Sequence, residues 1–412
     1  ARPRRVGVRG SLGLKRAPRG RRPPPRSAFS MAQFYRIGTP GIPWGAVEKA
    51  AWAKEVGVVR RTYADGVLAK LEPLKSRFDV VQYGQLDQDA RRYPLFCIRT
   101  KGFGMSAESP ASPRRKKTRI LGCPTSPHQK RPRILVTGGV HGYETSGVQG
   151  ALLFADKHME RYSELGFDIC VCPCVSPWGY ECVQRWAENS VDVNRSFFDT
   201  PAECTTEEAA SVVALVRELG GRNPVVGSSA DGHDGGSNCG WALHMDLHET
   251  TDSDATEFRP ARAARDGQAE FVDTKGIPDG FYLVGDSVVE SSSQLVVTAW
   301  HKAVIDSVRR VTPIAPAEVD AATAGDCGDA ATGRGRLLGE PLTQEGVIVV
   351  PARELHICAS VTGAKFVGVT EVYPDSKNPF VTPENCNEAQ VAAVTVAIDF
   401  VAKELGLDSA IA

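Results

Sequence analysis

Short apolar runs that alternate with helical stretches predict an α/β fold: a single domain with a central mixed, mostly parallel twisted sheet flanked by helices on both faces. Three observations carry this. Compact apolar segments recur as "RILVTGG", "FDICVCPCV", "ALHMDL" and "KFVGVT". Longer segments with helical spacing separate them, and no repeat or second domain stands apart within the 412 residues.

Taken in order, the first thirty residues are rich in Arg and Pro and contain no acidic residue. They read as an organellar transit peptide or as an extension ahead of a start at Met31, and domain assignment runs 1–30 for this disordered segment and 31–412 for the catalytic domain. Residues 44–78 read as helical, with Val67, Leu68, Leu71 and Leu74 at helical spacing. Two strands, "FDVVQYGQL" and "RYPLFCIRT", flank the turn "DQDAR". Surface insertions are expected near 103–131, 220–240 and 321–335, the first polar and Ser/Pro-rich, too poor in apolar area to offset its ordering. Its cluster Arg114 to Lys117 reads as a solvated loop. After "RILVTGG" come helix "SGVQGALLFADKHMERY", strand "FDICVCPCV", helix "TEEAASVVALVRELG" and strand "ALHMDL". Helix "SSQLVVTAWHKAVIDSVRRV", strand "KFVGVT" and helix "NEAQVAAVTVAIDFVAKELG" complete the chain.

Bulk properties remove several function classes. The formal net charge is zero, which argues against nucleic acid as the main partner. No window approaches the ~18 consecutive apolar residues of a membrane span. Eleven cysteines, an odd count in so long a chain, do not form a disulfide scaffold, and a reducing compartment is expected. Cys170, Cys172 and Cys174 alternate with strand period, so they read as buried thiols on one face, with a thiolate metal site as the alternative.

The strand ends carry the chemistry. "RILVTGGVHGYETSG" ends in His141 and Glu144; "ALHMDL" leads to Asp246, His248 and Glu249; "KFVGVT" leads to Glu371. Ligand crevices of open α/β sheets lie outside the carboxyl ends of the strands, so three strands deliver metal-type residues to one edge. A His-Glu-His set suits catalytic zinc and leaves a fourth position for water. Asp246 or another acid is expected to orient a ligand imidazole or an active-site arginine. Glu371 is read as the base, because three ligands are already supplied and the activated water needs a carboxylate to take its proton. His244 shares a strand face with Asp246 and reads as a hydrogen-bonded core histidine; His128, His158, His233, His301 and His356 are not expected to bind metal.

These residues resemble the zinc carboxypeptidases of the carboxypeptidase A type, with the related succinylglutamate desuccinylase and aspartoacylase group. The resemblance rests on "GGVHGYETSG", "SPWGYE", "VDVNRSF", "DLHETTDSD" and "GVTEVYPD", in that order, across residues 60 to 400. It implies a zinc carboxypeptidase-like fold and one Zn2+ per chain on His141, Glu144 and His248. Glu371 would activate a zinc-bound water as general base and later act as general acid. Asn194 and Arg195 would bind the substrate's free carboxylate, Arg195 by its bidentate fork, and Arg185 would stabilise the developing oxyanion. The implied activity is a metallocarboxypeptidase that cuts a C-terminal peptide bond next to a free carboxylate. The alternative is an N-acyl amino acid deacylase, but the deacylases carry a substantial β-rich domain after the core, whereas here one helix follows Glu371. Family peptidases have a tyrosine on a mobile loop before the catalytic glutamate, and none lies here between Tyr282 and Tyr373, so substrate closure is expected to differ. "ELHICASVTG" would lie near the specificity pocket. The implied partner is a peptide or N-acyl amino acid, with no nucleic acid and no membrane. The implied location is intracellular: cytoplasmic, or mitochondrial or plastid if the first thirty residues are a transit peptide.

Overall fold

Helical propensity in residues 44–78 is interrupted by tertiary hydrogen bonds. In the structure, a computed structural model that describes residues 34–104, 131–223, 240–273, 275–318 and 335–407, α1 spans Ala46–Val56 and stops at Gly57. The amides of Arg60 and Arg61 then donate to the carbonyl of Glu181, at 2.8 and 3.3 Å, which holds this stretch out of helical geometry. Helical structure resumes as a π turn at Ala64–Leu68, the short α2 (Ala69–Leu71) and a 3-10 turn at Glu72–Ser76. Residues 1–30, Arg114 to Lys117, His128 and His233 lie outside the described residues, as do almost all of the three expected insertions.

The strands are β1 (Asp79–Gln85), β2 (Pro94–Arg99), β3 (Arg133–Gly138), β4 (Asp168–Cys172) and β5 (Trp241–Glu249). β6 (Tyr282–Asp286), β9 (Val347–Val350) and β10 (Phe366–Val372) complete an eight-stranded sheet of order β1-β2-β4-β3-β5-β10-β6-β9, while β7 (Arg336–Leu337) and β8 (Glu340–Pro341) pair separately. Its centre, β4-β3-β5-β10, is parallel; β1, β2 and β6 join by antiparallel pairing, and β9 runs parallel to β6. The sheet is therefore mixed, with its parallel block in the middle.

Period-two alternation sorts the side chains between two layers. Ile134 and Val136 of β3, with Leu243, Met245 and Leu247 of β5, pack in the larger core. That core is covered by α3 (Thr145–Lys157), α8 (Gln294–Val308) and α9 (Pro383–Glu404). Leu135 faces the opposite layer, built with α6 (Glu207–Glu218). The helix expected over 146–162 is broken at His158 into α3 and α4 (Met159–Leu165). β4 ends before Pro173, which has no amide to donate, so Cys170 and Cys172 pack in one layer and Cys174 in the other. The expectation that all three share a face is corrected accordingly. Two helices were not expected from sequence: α5 (Pro177–Cys182), a single short turn, and α7 (Arg259–Arg265), which follows a π turn at Asp254–Phe258. Among the described residues no helix is long and apolar enough to cross a membrane.

Candidate metal centre

Just past β3 the chain turns sharply. Gly139 has φ +60°, a conformation open to glycine without steric cost. Gly142 has no room for a side chain, since an added methyl would collide with the backbone of Gly179 and Tyr180 in α5. Arg61 clasps the two segments, donating to the carbonyls of Gly142 (2.8 Å) and Tyr180 (2.7 Å). Between these constraints His141 and Glu144 are turned inward, 2% and 1% exposed.

Strand register brings in the remaining groups. Thr137 stands opposite Asp246 across β3 and β5, and His248 stands opposite Glu371 across β5 and β10. His244, Asp246 and His248 share one face of β5 by alternation. Glu249 turns the other way and accepts the amides of Thr145 (3.0 Å) and Ser146 (2.6 Å), anchoring the N-terminus of α3 to the end of β5.

Ligand-type atoms of His141, Glu144 and His248 all lie within 4.8 Å of one another. Glu144 Oε1 is 2.8 Å from His141 Nδ1, and its Oε2 is 2.7 Å from His248 Nδ1. On the far side of each ring a different acid waits: Asp192 Oδ1 is 2.9 Å from His141 Nε2, and Asp246 Oδ2 is 2.9 Å from His248 Nε2. A ring whose Nε2–H donates to an aspartate keeps its Nδ1 lone pair directed at the common centre. Despite its closeness to His248, Glu144 Oε2 is out of line for a hydrogen bond and remains a buried oxygen without a donor. Three carboxylates around two imidazoles, with an orphaned oxygen between inward-facing nitrogens, fit a divalent cation of the zinc type.

The charges are tightly coupled. Burial alone would raise the Glu144 carboxyl, but His248 and His141 hold it far below the usual range. Burial likewise opposes a charge on His248, yet Asp246 and Glu144 keep its pKa well above the ordinary imidazole value. Glu371 behaves differently. Burial pushes its carboxyl up to about 7, Glu144 adding to the rise and His248 opposing it. Thr250 donates to Glu371 Oε2 at 2.8 Å, and the Thr250 hydroxyl is itself 2.8 Å from the Tyr282 hydroxyl. Tyr282 stands opposite Glu371 across β6 and β10, and its hydroxyl is linked to this glutamate through Thr250.

Arg185 is held by Asp192 (Nε to Oδ2, 3.2 Å) and Asp254 (Nη1 to Oδ1, 3.3 Å). Burial opposes its charge, but Asp192, Tyr143 and Asp254 raise its pKa well above the ordinary value. Asn194 is buried: its Oδ1 accepts the Cys358 amide at 2.8 Å, and its Nδ2 is 3.4 Å from His248 Nε2. "ELHICASVTG" therefore lies against Asn194. Arg195 is exposed, with Nη1 donating to the carbonyl of Asn194 at 2.6 Å. The two neighbours differ in exposure: Asn194 is buried beside His248, while Arg195 opens to solvent.

Asp192, Asp254, Thr250 and Tyr282 were not singled out from the sequence. Asp192 lies inside the quoted "VDVNRSF", two residues before Asn194, which is the one signal that pointed to it. His244 is a core histidine, its Nε2 3.0 Å from the Thr137 hydroxyl and its Nδ1 3.2 Å from the Ala359 carbonyl oxygen. No cysteine belongs to the metal-binding group among the described residues.

Residues 125–216 match a family described as a protein of unknown function (DUF2817). No curated protein matches the chain. Among solved structures, a candidate metallopeptidase from Shewanella amazonensis SB2B is similar at TM-score 0.48 and 15% identity, over 82% of this chain and 92% of that one. A metallo-carboxypeptidase from Burkholderia cenocepacia gives TM-score 0.43 and 12% identity over 88% and 70% of the two chains. Bovine thrombin-activatable fibrinolysis inhibitor gives TM-score 0.43 and 10% identity over 85% and 99%.

Proposed function

We propose that this chain is a zinc-dependent metallocarboxypeptidase, hydrolysing a C-terminal amide bond next to a free carboxylate. One observation carries the reading: Glu371 stands in register beside His248, on the strand face that also holds Asp246, at the edge where His141 and Glu144 converge. A carboxyl with a pKa of about 7 next to a three-donor centre is poised to exchange a proton near neutrality.

His141, Glu144 and His248 would hold the zinc ion, which when bound polarises a carbonyl and lowers the pKa of water to about 7. Glu371 takes the proton from the attacking water. Thr250 fixes Oε2 by its hydrogen bond, so Oε1 is the oxygen that moves the proton. The same carboxyl then returns it to the leaving amine nitrogen. Arg185, with Nε and Nη1 engaged by Asp192 and Asp254, retains Nη2 to donate to the developing oxyanion. Arg195, exposed and always charged, receives the free carboxylate of the substrate.

The test is a screen of purified, zinc-loaded protein against free-acid peptides, the same peptides amidated, and N-acyl amino acids. Cleavage of the free-acid peptides with the amidated controls untouched is the expected result. Turnover restricted to N-acyl amino acids overturns the peptidase reading, and loss of no activity on complete zinc removal overturns the metal reading.

A further inference from the structure

The first thirty residues hold ten of the chain's 49 basic residues and no acidic one, so positions 31–412 carry 39 basic residues against 49 acidic. Against that acidic background one cleft, of about 540 Å³, gathers Lys49 of α1, Arg195, and Arg262 and Arg265 of α7. Asp192, which holds His141 Nε2, forms part of its wall, so the cleft adjoins the metal centre.

The acids of this cleft are already engaged. Asp192 serves His141 and Arg185. Asp266 is shared between Arg265 Nε at 2.9 Å and Arg262 Nε at 3.7 Å. Arg265 is fixed further by the Ser190 carbonyl (3.0 Å) and by stacking over Trp186 at 4.5 Å. Arg262 is 67% exposed, and the ammonium of Lys49 has no side-chain partner among the described residues. Cations that repel one another around an open cleft are relieved by an anion that enters it.

We infer that this cleft selects peptides whose C-terminal residues are acidic. Arg195 takes the terminal carboxylate, and Arg262, Arg265 and Lys49 take the carboxylate of an Asp or Glu side chain. The assignment of Arg195 rests on the function proposed above; the cationic cleft itself does not. Arg265 is the fixed donor and Arg262 and Lys49 the adjustable ones, as their exposure requires.

The experiment compares two free-acid peptides, identical except for ending in Glu-Glu or Gln-Gln. In the zinc-loaded enzyme kcat/KM should favour Glu-Glu by about tenfold or more, the scale of one charge-assisted contact. In the double variant Lys49→Glu, Arg262→Glu, both sites being exposed, the preference should fall by about tenfold. A second arm titrates the same peptides calorimetrically into zinc-loaded Glu371→Gln and reads the cleft without any bond being cut. Tighter binding of Glu-Glu in this arm upholds the cleft even if no peptide is hydrolysed, in which case only the peptidase reading fails. Equal binding of the two peptides, or a preference unchanged in the double variant, overturns the inference. N-Acetylglutamate carries the same two carboxylates without a peptide, and its hydrolysis in place of both peptides overturns the peptide assignment.

Discussion

His244 and His248 lie four residues apart on one face of β5, both buried, and their surroundings drive them in opposite directions. His248, at the end of the strand, has a carboxylate at each ring nitrogen, Asp246 on one side and Glu144 on the other. His244, in the middle, faces a hydroxyl and a backbone carbonyl instead, and burial pushes its pKa down to about 4, with only partial relief from Asp246. His301 on α8 is more extreme: its Nε2 is buried without a partner, and burial alone lowers its pKa to about 4. Burial alone does not make a histidine a ligand. Paired carboxylates do, because they stabilise a positive charge, whether a proton or a metal ion, where the core rejects one.

Glu371 is a carboxyl of the rim that no histidine partners directly. Glu371→Gln should lower kcat by about a hundredfold to ten-thousandfold while metal analysis still finds about one zinc per chain. Normal turnover would remove Glu371 from the role of base.

The core histidines make a prediction about pH. His301 is neutral in the fold with a pKa of about 4, whereas an unfolded imidazole titrates near 6.5. Between those values the unfolded chain binds the extra proton, so stability is full above about 6.5 and falls as pH drops towards 4. The loss from this residue amounts to ~3 kcal/mol. Denaturant midpoints of the zinc-loaded protein at a series of pH values check this, and the acid limb should be shallower in His301→Leu.

On the rim, Asp246→Asn and Asp192→Asn should each weaken zinc binding by about 10- to 100-fold, as read by chelator competition. The amide oxygen of an Asn at either position still accepts a hydrogen bond from Nε2–H but supplies no charge. If both variants bound zinc as tightly as the parent, the two aspartates would have no part in holding the metal.

The smallest effect is expected for His301→Leu at neutral pH. Replacing a buried, unpartnered ring by an apolar side chain should leave stability unchanged or raise it by up to about 1 kcal/mol. A large loss would mean that the ring has a partner in solution.

Legibility from sequence followed locality. His141, Glu144, His248 and Glu371 could be singled out because each ends a run whose apolar pattern marks a strand, and parallel strands deliver their ends to one edge. The partners that orient them were out of reach. Asp192 meets His141 across 51 positions, Thr250 meets Glu371 across 121, and Tyr282 stands opposite Glu371 only because β6 pairs antiparallel to β10. The break after α1 was likewise invisible, since it depends on a carbonyl at Glu181 far along the chain. Arg262 and Arg265 belong to a helix too short to announce itself, and nothing local ties them to Arg195.

By itself, then, the order of residues determined the alternation of the central strands with their helices and the donor types available at the strand ends, because these follow from periods of a few residues. Only the tertiary structure decided which nitrogen of each imidazole faces the centre, which acid stands behind it, and which cations share the neighbouring cleft. Those choices are made by strand register and loop return, which bring together groups tens to hundreds of positions apart, and electrostatics acts on distance in space without regard to distance along the chain.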